Sequence, residues 1–357
     1  MFYSNKYFSR MLWIFIAIIS LSVFPTLADS LPKVRIVSVK RIFSNGEHNA
    51  FTDLVRYNGR LYLAFRSCPD GHAVNATASI IILSSKNGHK WEQVFRFHVA
   101  QRDTRDPHFL NFKGKLFVYT GTWYCGDQTE PGKYNLNQHL GYAVWSKDGR
   151  EWHGPEMMEG TYGHYIWRAA AFSGKAYLCG RRKHEFAELP PHSNANPITE
   201  SAMLESDDGL VWKKVALFQE HNGDETAFLF ESDGSVLAVA RRGRDDAELC
   251  RSKPPYRKWQ RKDLGYYIGG PLLAKWNGRY LVGGRKREKD TYKTTLYWLV
   301  NDELHQFAEL PSDGDNSYPG FVELGPKRAL VSYYSSHEKD KDGKPMTAIY
   351  LAELEIE

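Results

Sequence analysis

The sequence predicts an all-β fold built from six copies of one structural unit, and three observations predict it. A strand–turn–strand pattern recurs six times between Thr52 and Tyr334. A Ser-x-x-Gly-x-x-Trp turn follows each of the first three copies at near-equal intervals. Aromatic residues make up 14% of the chain, an excess that favours strands and also supplies stacking surfaces for sugars.

Taken in order, the first 28 residues are expected to be a cleaved export signal, leaving a single domain over 29–357. Lys6 and Arg10 precede an apolar run from Met11 to Phe24, and Pro25-Thr26-Leu27-Ala28 supplies the small residues of a cleavage site. The run falls short of the roughly 20 apolar residues that span a bilayer, although a retained anchor is the alternative. A secreted or periplasmic protein is therefore expected. Lys33 to Phe43 is rich in Val and Ile and reads as a strand.

The hairpins follow. Thr52 to Phe65 turns at Asn58-Gly59, Asp106 to Thr120 at Lys113-Gly114, and Trp167 to Gly180 at Ser173-Gly174. Thr226 to Ala240 turns at Asp233-Gly234, Pro271 to Gly284 at Asn277-Gly278, and Tyr318 to Tyr334 around Gly325-Pro326-Lys327. Asn-Gly and Asp-Gly are strong hairpin signals, because glycine accepts the positive φ of a tight turn. The second motif reads Ser85 to Trp91, Ser146 to Trp152 and Ser206 to Trp212, with a degenerate fourth copy at Ser252 to Trp259. In each, Ser and Asp side chains can bond the turn backbone while Trp pins the turn to the core.

These turns resemble the Asp-box of sialidases and related proteins, and the resemblance covers essentially the whole chain beyond the leader. It implies a six-bladed β-propeller with four-stranded blades around a central channel, and gives the Asp-boxes a structural role. The strand at Lys33–Phe43 would then be the outer strand of the last blade, closing the ring and removing an exposed edge.

In such a ring the second strand of every hairpin ends on one face. Seven residues after the turn glycine stand Arg66, Gly121, Arg181, Arg241 and Arg285, with the sixth match near Tyr334. Four arginines in register suggest a clamp for an anion, since guanidinium matches carboxylate, sulfate or phosphate. The first strands bring His48, Asp53, Arg105, Asp106, Trp167, Arg168, Asp224 and Glu225 to the same rim.

Glu225, with Arg241 sixteen residues later, is similar to the glutamate–arginine arrangement of sialidases. Tyr318 in Asn316-Ser317-Tyr318-Pro319 resembles the stretch carrying their tyrosine nucleophile. The resemblance implies that the carboxylate is base to the phenol, the exception to the two-carboxylate rule of glycosidases. Glu225 bridging Arg241 and Tyr318 packing in a blade are the plain alternatives. The sequence also departs from the pattern: Ala50 stands where the first sialidase arginine would, and Arg105-Asp106-Pro107 sits one blade away.

The expectation is a glycoside hydrolase acting on an acidic glycan, with sialic acid, a uronic acid or a sulfated sugar as the anionic unit. Glu225 and Tyr318 are base and nucleophile, and Asp70 or Asp106 the acid. Arg66, Arg105, Arg168, Arg181, Arg241, Arg285 and His72 face the anion, while Trp123 and Trp167 stack on sugar. A uronate lyase using His164 or Tyr162 as base, and a non-catalytic glycan-binding propeller, are the competing classes. No metal or organic cofactor is implied.

A net charge of +5, scattered singly among acids, does not indicate nucleic-acid binding. A monomer is expected. Four cysteines without metal spacing are too few for a disulfide scaffold. Cys68 and Cys125 end neighbouring blades and are a candidate disulfide; Cys179 and Cys250 are expected to be buried thiols.

Overall fold

The computed structural model describes residues 1, 31–126, 135–190 and 194–357. Residues Pro32–Glu357 form one compact unit. The expected export signal over 1–28 lies, Met1 apart, outside the described residues. No helix among the described residues is long and apolar enough to cross a membrane.

The chain opens with β1 (Val34–Phe43) and then runs through the blades in turn. Blade 1 comprises β2 (His48–Tyr57), β3 (Arg60–Cys68), β4 (Ser79–Ser85) and β5 (Glu92–Phe97). Blade 2 comprises β6 (Arg102–Phe112), β7 (Lys115–Tyr124), β8 (Leu140–Ser146) and β9 (His153–Met157). Blade 3 holds β10 (Tyr165–Phe172), β11 (Lys175–Lys183), β12 (Thr199–Ser206) and β13 (Lys213–Gln219). Blade 4 holds β14 (Thr226–Phe230), β15 (Val236–Arg242), β16 (Asp245–Ser252) and β17 (Trp259–Asp263). Blade 5 holds β18 (Gly269–Trp276), β19 (Arg279–Glu288), β20 (Thr291–Val300) and β21 (Glu303–Leu310). Blade 6 takes β22 (Asn316–Gly325), β23 (Arg328–Lys339) and β24 (Pro345–Ile356) from this end of the chain and β1 from the other.

Every blade is a four-stranded antiparallel meander. The first strands touch in the cyclic order β2, β6, β10, β14, β18, β22 and back to β2, so they line a central axis. This is the six-bladed β-propeller expected, closed by the β1–β24 ladder from Val34 opposite Ile356 to Phe43 opposite Ile349. Burial follows position in the blade. β4 (SIIILSS) is buried along its whole length because neighbouring blades cover both its faces, whereas outer β9 (HGPEM) is exposed throughout.

The local code is obeyed at the turns. Asn58-Gly59, Lys113-Gly114, Ser173-Gly174 and Asn277-Gly278 all take positive φ at both residues, the turn that matches the twist of two paired strands. The Ser-x-x-Gly-x-x-Trp turns join third to fourth strands. Gly88, Gly149 and Gly209 donate their backbone N–H to Ser85, Ser146 and Ser206. A side chain is barred at Gly149: a Cβ there would lie 1.8 Å from Tyr62 Oη on blade 1. The turn of one blade is thus wedged against the preceding blade.

The candidate disulfide is corrected: all four cysteines are free thiols. Cys68 Sγ meets Thr77 Oγ1 (3.6 Å) and Cys125 Sγ the Gln101 carbonyl (3.5 Å), so each thiol is engaged beside its own blade. Cys179 and Cys250 are buried, as expected.

Candidate functional site

The first strands are irregular where they reach the channel mouth. Ladder breaks fall between Ala50 and Asp53, Arg105 and His108, Ile166 and Ala169, Gly269 and Leu272, and Ser317 and Gly320. At this level Phe51, Asp106, Gly270 and Tyr318 have φ of 60, 53, 60 and 51°. Three of these four carry a side chain, in a region that costs non-glycine residues about 1–3 kcal/mol. Such bulges re-aim side chains, and here they aim them at the axis.

Tyr318 Oη donates to Glu225 Oε1 at 2.7 Å. Glu225 Oε2 accepts from Arg241 Nη1 (2.9 Å) and from the Gly270 backbone N–H (2.9 Å). Gly270 is required there, since a Cβ would come 2.6 Å from the Tyr318 ring. The phenol also lies 3.4 Å from Arg241 Nη1 and carries the Arg285 guanidinium over its ring at 5.4 Å. Its ring meets Phe51 and Trp167 in T-shaped contacts and Tyr334 at a tilt.

Burial pushes the Tyr318 phenol well above its ordinary value, reinforced by the Glu225 charge and opposed by Arg241 and Arg285. Glu225 is held below the usual carboxylate range: burial opposes ionisation, and the Arg241 charge and hydrogen bonds from Arg241, Tyr318 and Gly270 prevail. The resting pair is a neutral phenol donating to a carboxylate.

The rim arginines divide. Arg181, Arg241 and Arg285 have side chains 22, 20 and 16% exposed, whereas Arg66 is wholly enclosed. Arg181 Nη1 and Arg241 Nε share Asp224, at 3.2 and 3.4 Å. Arg285 is held by Asp315 Oδ1 (2.9 Å), the Asn316 carbonyl and Tyr334 Oη (2.8 Å). An arc of alternating charge results, running Arg181–Asp224–Arg241–Glu225–Tyr318–Arg285–Asp315. The counter-charge that the sequence assigned to a ligand is partly supplied by these carboxylates. Among the described residues, Arg181 Nη2, Arg241 Nη2 and Arg285 Nη1 have no protein acceptor and are not sealed from solvent.

Arg66 corrects the expectation of a four-arginine clamp. It grips Asp103 with two bonds (3.0 and 2.9 Å), donates to the Gly71 and Ala73 carbonyls, and turns its fifth N–H toward His48 Nδ1. Arg105 shares Asp103 and the Ala73 carbonyl with Arg66, also donates to the His72 carbonyl, and is buried under Phe51 and Trp123. Arg168 is tied to Asp53 (2.8 Å) and the Pro319 carbonyl (2.6 Å), beneath the Glu225–Tyr318 level. These three arginines are structural in position.

Asp106 belongs to the ring at the axis. It is buried, and its Oδ1 has no hydrogen-bond partner. Burial first, then the nearby Glu225 and Asp103 charges, raise its carboxyl well above the ordinary range against the pull of Arg105 and Arg66. Asp70 is exposed and accepts from Thr77 Oγ1 (2.5 Å) in the loop after β3. Trp167 is 1% exposed, wedged between His108 and Tyr318, so it has no face for a sugar. Trp123 is half-buried beside His139 and Tyr165. Of the lyase bases, His164 is buried against the Gly180 carbonyl and lowered to about 4 by burial, while Tyr162 is exposed and stacked on Phe186.

His48 Nε2 and His72 Nδ1 both meet Asp315 Oδ2, at 2.9 and 2.7 Å, and the three ligand atoms lie within 4.8 Å of one another. Arg66 Nη1 faces the other ring nitrogen of His48 at 3.5 Å. A donor at Nδ1 leaves Nε2 to carry the proton toward Asp315.

Two residues here escaped sequence reasoning. Asp103 sits within β6, two residues before Arg105, and Asp315 precedes the tyrosine motif; neither carried a repeat signal. Tyr334 occupies the rim position that the register gave it.

Comparison with solved structures agrees with the fold. A protein of unknown function from Dyadobacter fermentans is similar over 92% of this chain and 100% of its own, at TM-score 0.75 and 22% identity. Trypanosoma rangeli sialidase in complex with the inhibitor DANA is similar over 90% of this chain, at TM-score 0.64 and 11% identity. Phage phi92 endosialidase is similar over 90%, at TM-score 0.62 and 9% identity. This chain spans 59% of that sialidase chain and 69% of the endosialidase chain. No protein-family model and no curated protein sequence matches the chain.

Proposed function

We propose that this protein is a sialidase-like glycoside hydrolase acting on a glycan that ends in an anionic sugar. The observation that carries the reading is the 2.7 Å hydrogen bond from Tyr318 Oη to Glu225 Oε1, flanked by two arginines that retain open donors. A phenol is a weak nucleophile until a base takes its proton. Here the carboxylate already accepts that proton's hydrogen bond, and nearby cations favour the phenolate as it forms.

In the proposed reaction Tyr318 Oη bonds to the anomeric carbon and its proton passes to Glu225. The glycosidic bond breaks, and Asp106, whose burial favours the protonated form, gives its proton to the departing oxygen. Water, deprotonated by the Asp106 carboxylate, then attacks the anomeric carbon, and Tyr318 leaves with the proton held by Glu225. Arg181, Arg241 and Arg285 hold the anionic group and screen the phenolate. Asp106 replaces Asp70 in this role because it stands on the axis.

The test is a turnover screen on glycosides of sialic acid, hexuronic acids and sulfated hexoses, read for reducing ends and for ultraviolet absorbance. Release of reducing sugar without unsaturated product supports hydrolysis. Unsaturated product points to a lyase, and saturable binding with no turnover of any substrate points to a binding module.

A further inference from the structure

Blade 4 departs from the turn that blades 1 to 3 share, and the departure opens a cleft. Trp259 keeps the contact made by Trp91: each indole Nε1–H donates to the carbonyl three residues earlier, at 3.1 Å. The residue at that point is Gly88 in blade 1 and Tyr256 in blade 4, and Tyr256 keeps the glycine-like φ of 60°. The segment between Ser252 and Trp259 is one residue longer than its counterparts and reads Lys-Pro-Pro-Tyr-Arg-Lys in place of the acidic or amide turn. Tyr256 Oη reaches back to the Gly234 carbonyl (3.0 Å), anchoring the enlarged loop.

A cleft of about 800 Å³ lies under this loop. Its floor is apolar: Val236 and Leu237 at the start of β15, with Pro254, Pro255, Trp259 and Tyr280 around them. Its charged lining is mainly cationic, comprising Arg251, Lys253, Arg257 and Lys258 against one acid, Glu231. Glu231 is already met by Lys275 (2.7 Å) and Tyr280 Oη (2.8 Å). Arg251 pairs with Asp302 (2.6 Å), and Lys253 lies 3.9 Å from Asp233. Among the described residues, Arg257 and Lys258 have no acidic partner. Two uncompensated cations beside an aromatic edge and a proline wall match a ring with an apolar C–H face and an anionic substituent. The cleft is distinct from the channel site: β15 begins in it at Val236 and carries Arg241 five residues on, and a rise of ~3.3 Å per residue separates the two by about 16 Å.

We propose that this cleft is a second carbohydrate site, which holds an acidic sugar unit by its carboxylate or sulfate at Arg257 and Lys258 and by its ring against Trp259. The site holds a glycan without cleaving it, so it does not rest on the catalytic reading of Tyr318 and Glu225.

The test uses the ¹⁵N-labelled protein and the indole N–H resonance of Trp259, assigned by its loss in Trp259→Phe. Hexagalacturonate and a sulfated oligosaccharide are the probes, with maltohexaose and polyglutamate as controls. A saturable shift of that resonance with either acidic sugar is expected. Its apparent Kd should rise at least tenfold in the Arg257→Ala/Lys258→Ala double variant and stay unchanged in Glu225→Gln. Protection of Lys258 from acetylation by the same sugars gives a second readout in unsubstituted protein. Absence of both the shift and the protection overturns the proposal, as does equal response to maltohexaose or an unchanged Kd in the double variant. Equal response to polyglutamate also overturns it, in favour of an acidic peptide partner.

Discussion

Replacing Tyr318 by Phe removes one oxygen and leaves the ring among Phe51, Trp167 and Tyr334. The hydroxyl makes a charge-assisted bond to Glu225, a kind worth ~1.5–3 kcal/mol. Glu225 keeps Arg241 and the Gly270 N–H, so only its Oε1 loses a partner. The stability loss should therefore be about 1–2 kcal/mol, or roughly 2–4 °C in Tm for a domain of this size. Chemistry should respond far more. Losing the nucleophile is expected to lower kcat/KM at least ~10³-fold, which is about 4 kcal/mol at 1.36 kcal/mol per decade. The assay is kcat/KM on the substrate found by the screen, alongside the Tm and the Kd of a competitive acidic sugar. A variant within tenfold of the parent kcat/KM, folded and binding normally, would refute the assignment of Tyr318 as nucleophile.

Further outcomes are expected. Asp103→Asn leaves Arg66 and Arg105 buried without their carboxylate, so stability to denaturant should fall by about 3–5 kcal/mol; a loss under 1 kcal/mol would show that the carbonyls at 71–73 suffice. Asp106 has a folded pKa above its unfolded one, so its contribution is present at low pH and is lost as pH rises through that raised value. Asp106→Asn should therefore be more stable than the parent at pH 8, by about 1 kcal/mol, and less so toward pH 4. Its hydrolysis of alkyl glycosides should collapse while aryl glycosides with good leaving groups are spared; equal losses on both would remove Asp106 as the acid. His108 and His164 are each lowered to about 4 by burial, so they favour the folded state above pH ~6.5 and lose that contribution as pH falls toward 4. At about 1.4 kcal/mol per unit each is worth on the order of 3 kcal/mol, and urea unfolding of His164→Asn should show a flatter pH slope than the parent.

The architecture was legible because it is written in short-range code. Turn glycines, alternating apolar strands and the Ser-x-x-Gly-x-x-Trp spacing each constrain only a few neighbouring residues, and six copies reinforce one another. Lys33–Phe43 was readable as a strand from its Val and Ile content, and as the ring closure through the propeller that the resemblance implied. The site was legible at the level of register only. Counting seven residues from each glycine finds the strand end, but not whether a carboxylate from the next blade neutralises the side chain, and Asp103 does this to Arg66 across 37 residues. Trp167 was misread because it falls in the bulge between Ile166 and Ala169, where alternation breaks and the indole turns inward. The Glu225–Tyr318 contact spans 93 residues and was reached through resemblance to a known motif, not through spacing.

The ring is shut without a covalent link between its ends. Every other blade is a continuous stretch of chain, while the β1–β24 seam joins residues more than three hundred positions apart. Val34 faces Ile356, and the Glu357 N–H reaches the Lys33 carbonyl at 3.0 Å, so the two ends of the ladder emerge side by side. Tension applied there loads the rungs one after another, like a zip, instead of all at once in shear. The same juxtaposition lets a short peptide weld the seam covalently, with new ends cut at an exposed hairpin such as Asn58-Gly59, converting a clasp into a hoop.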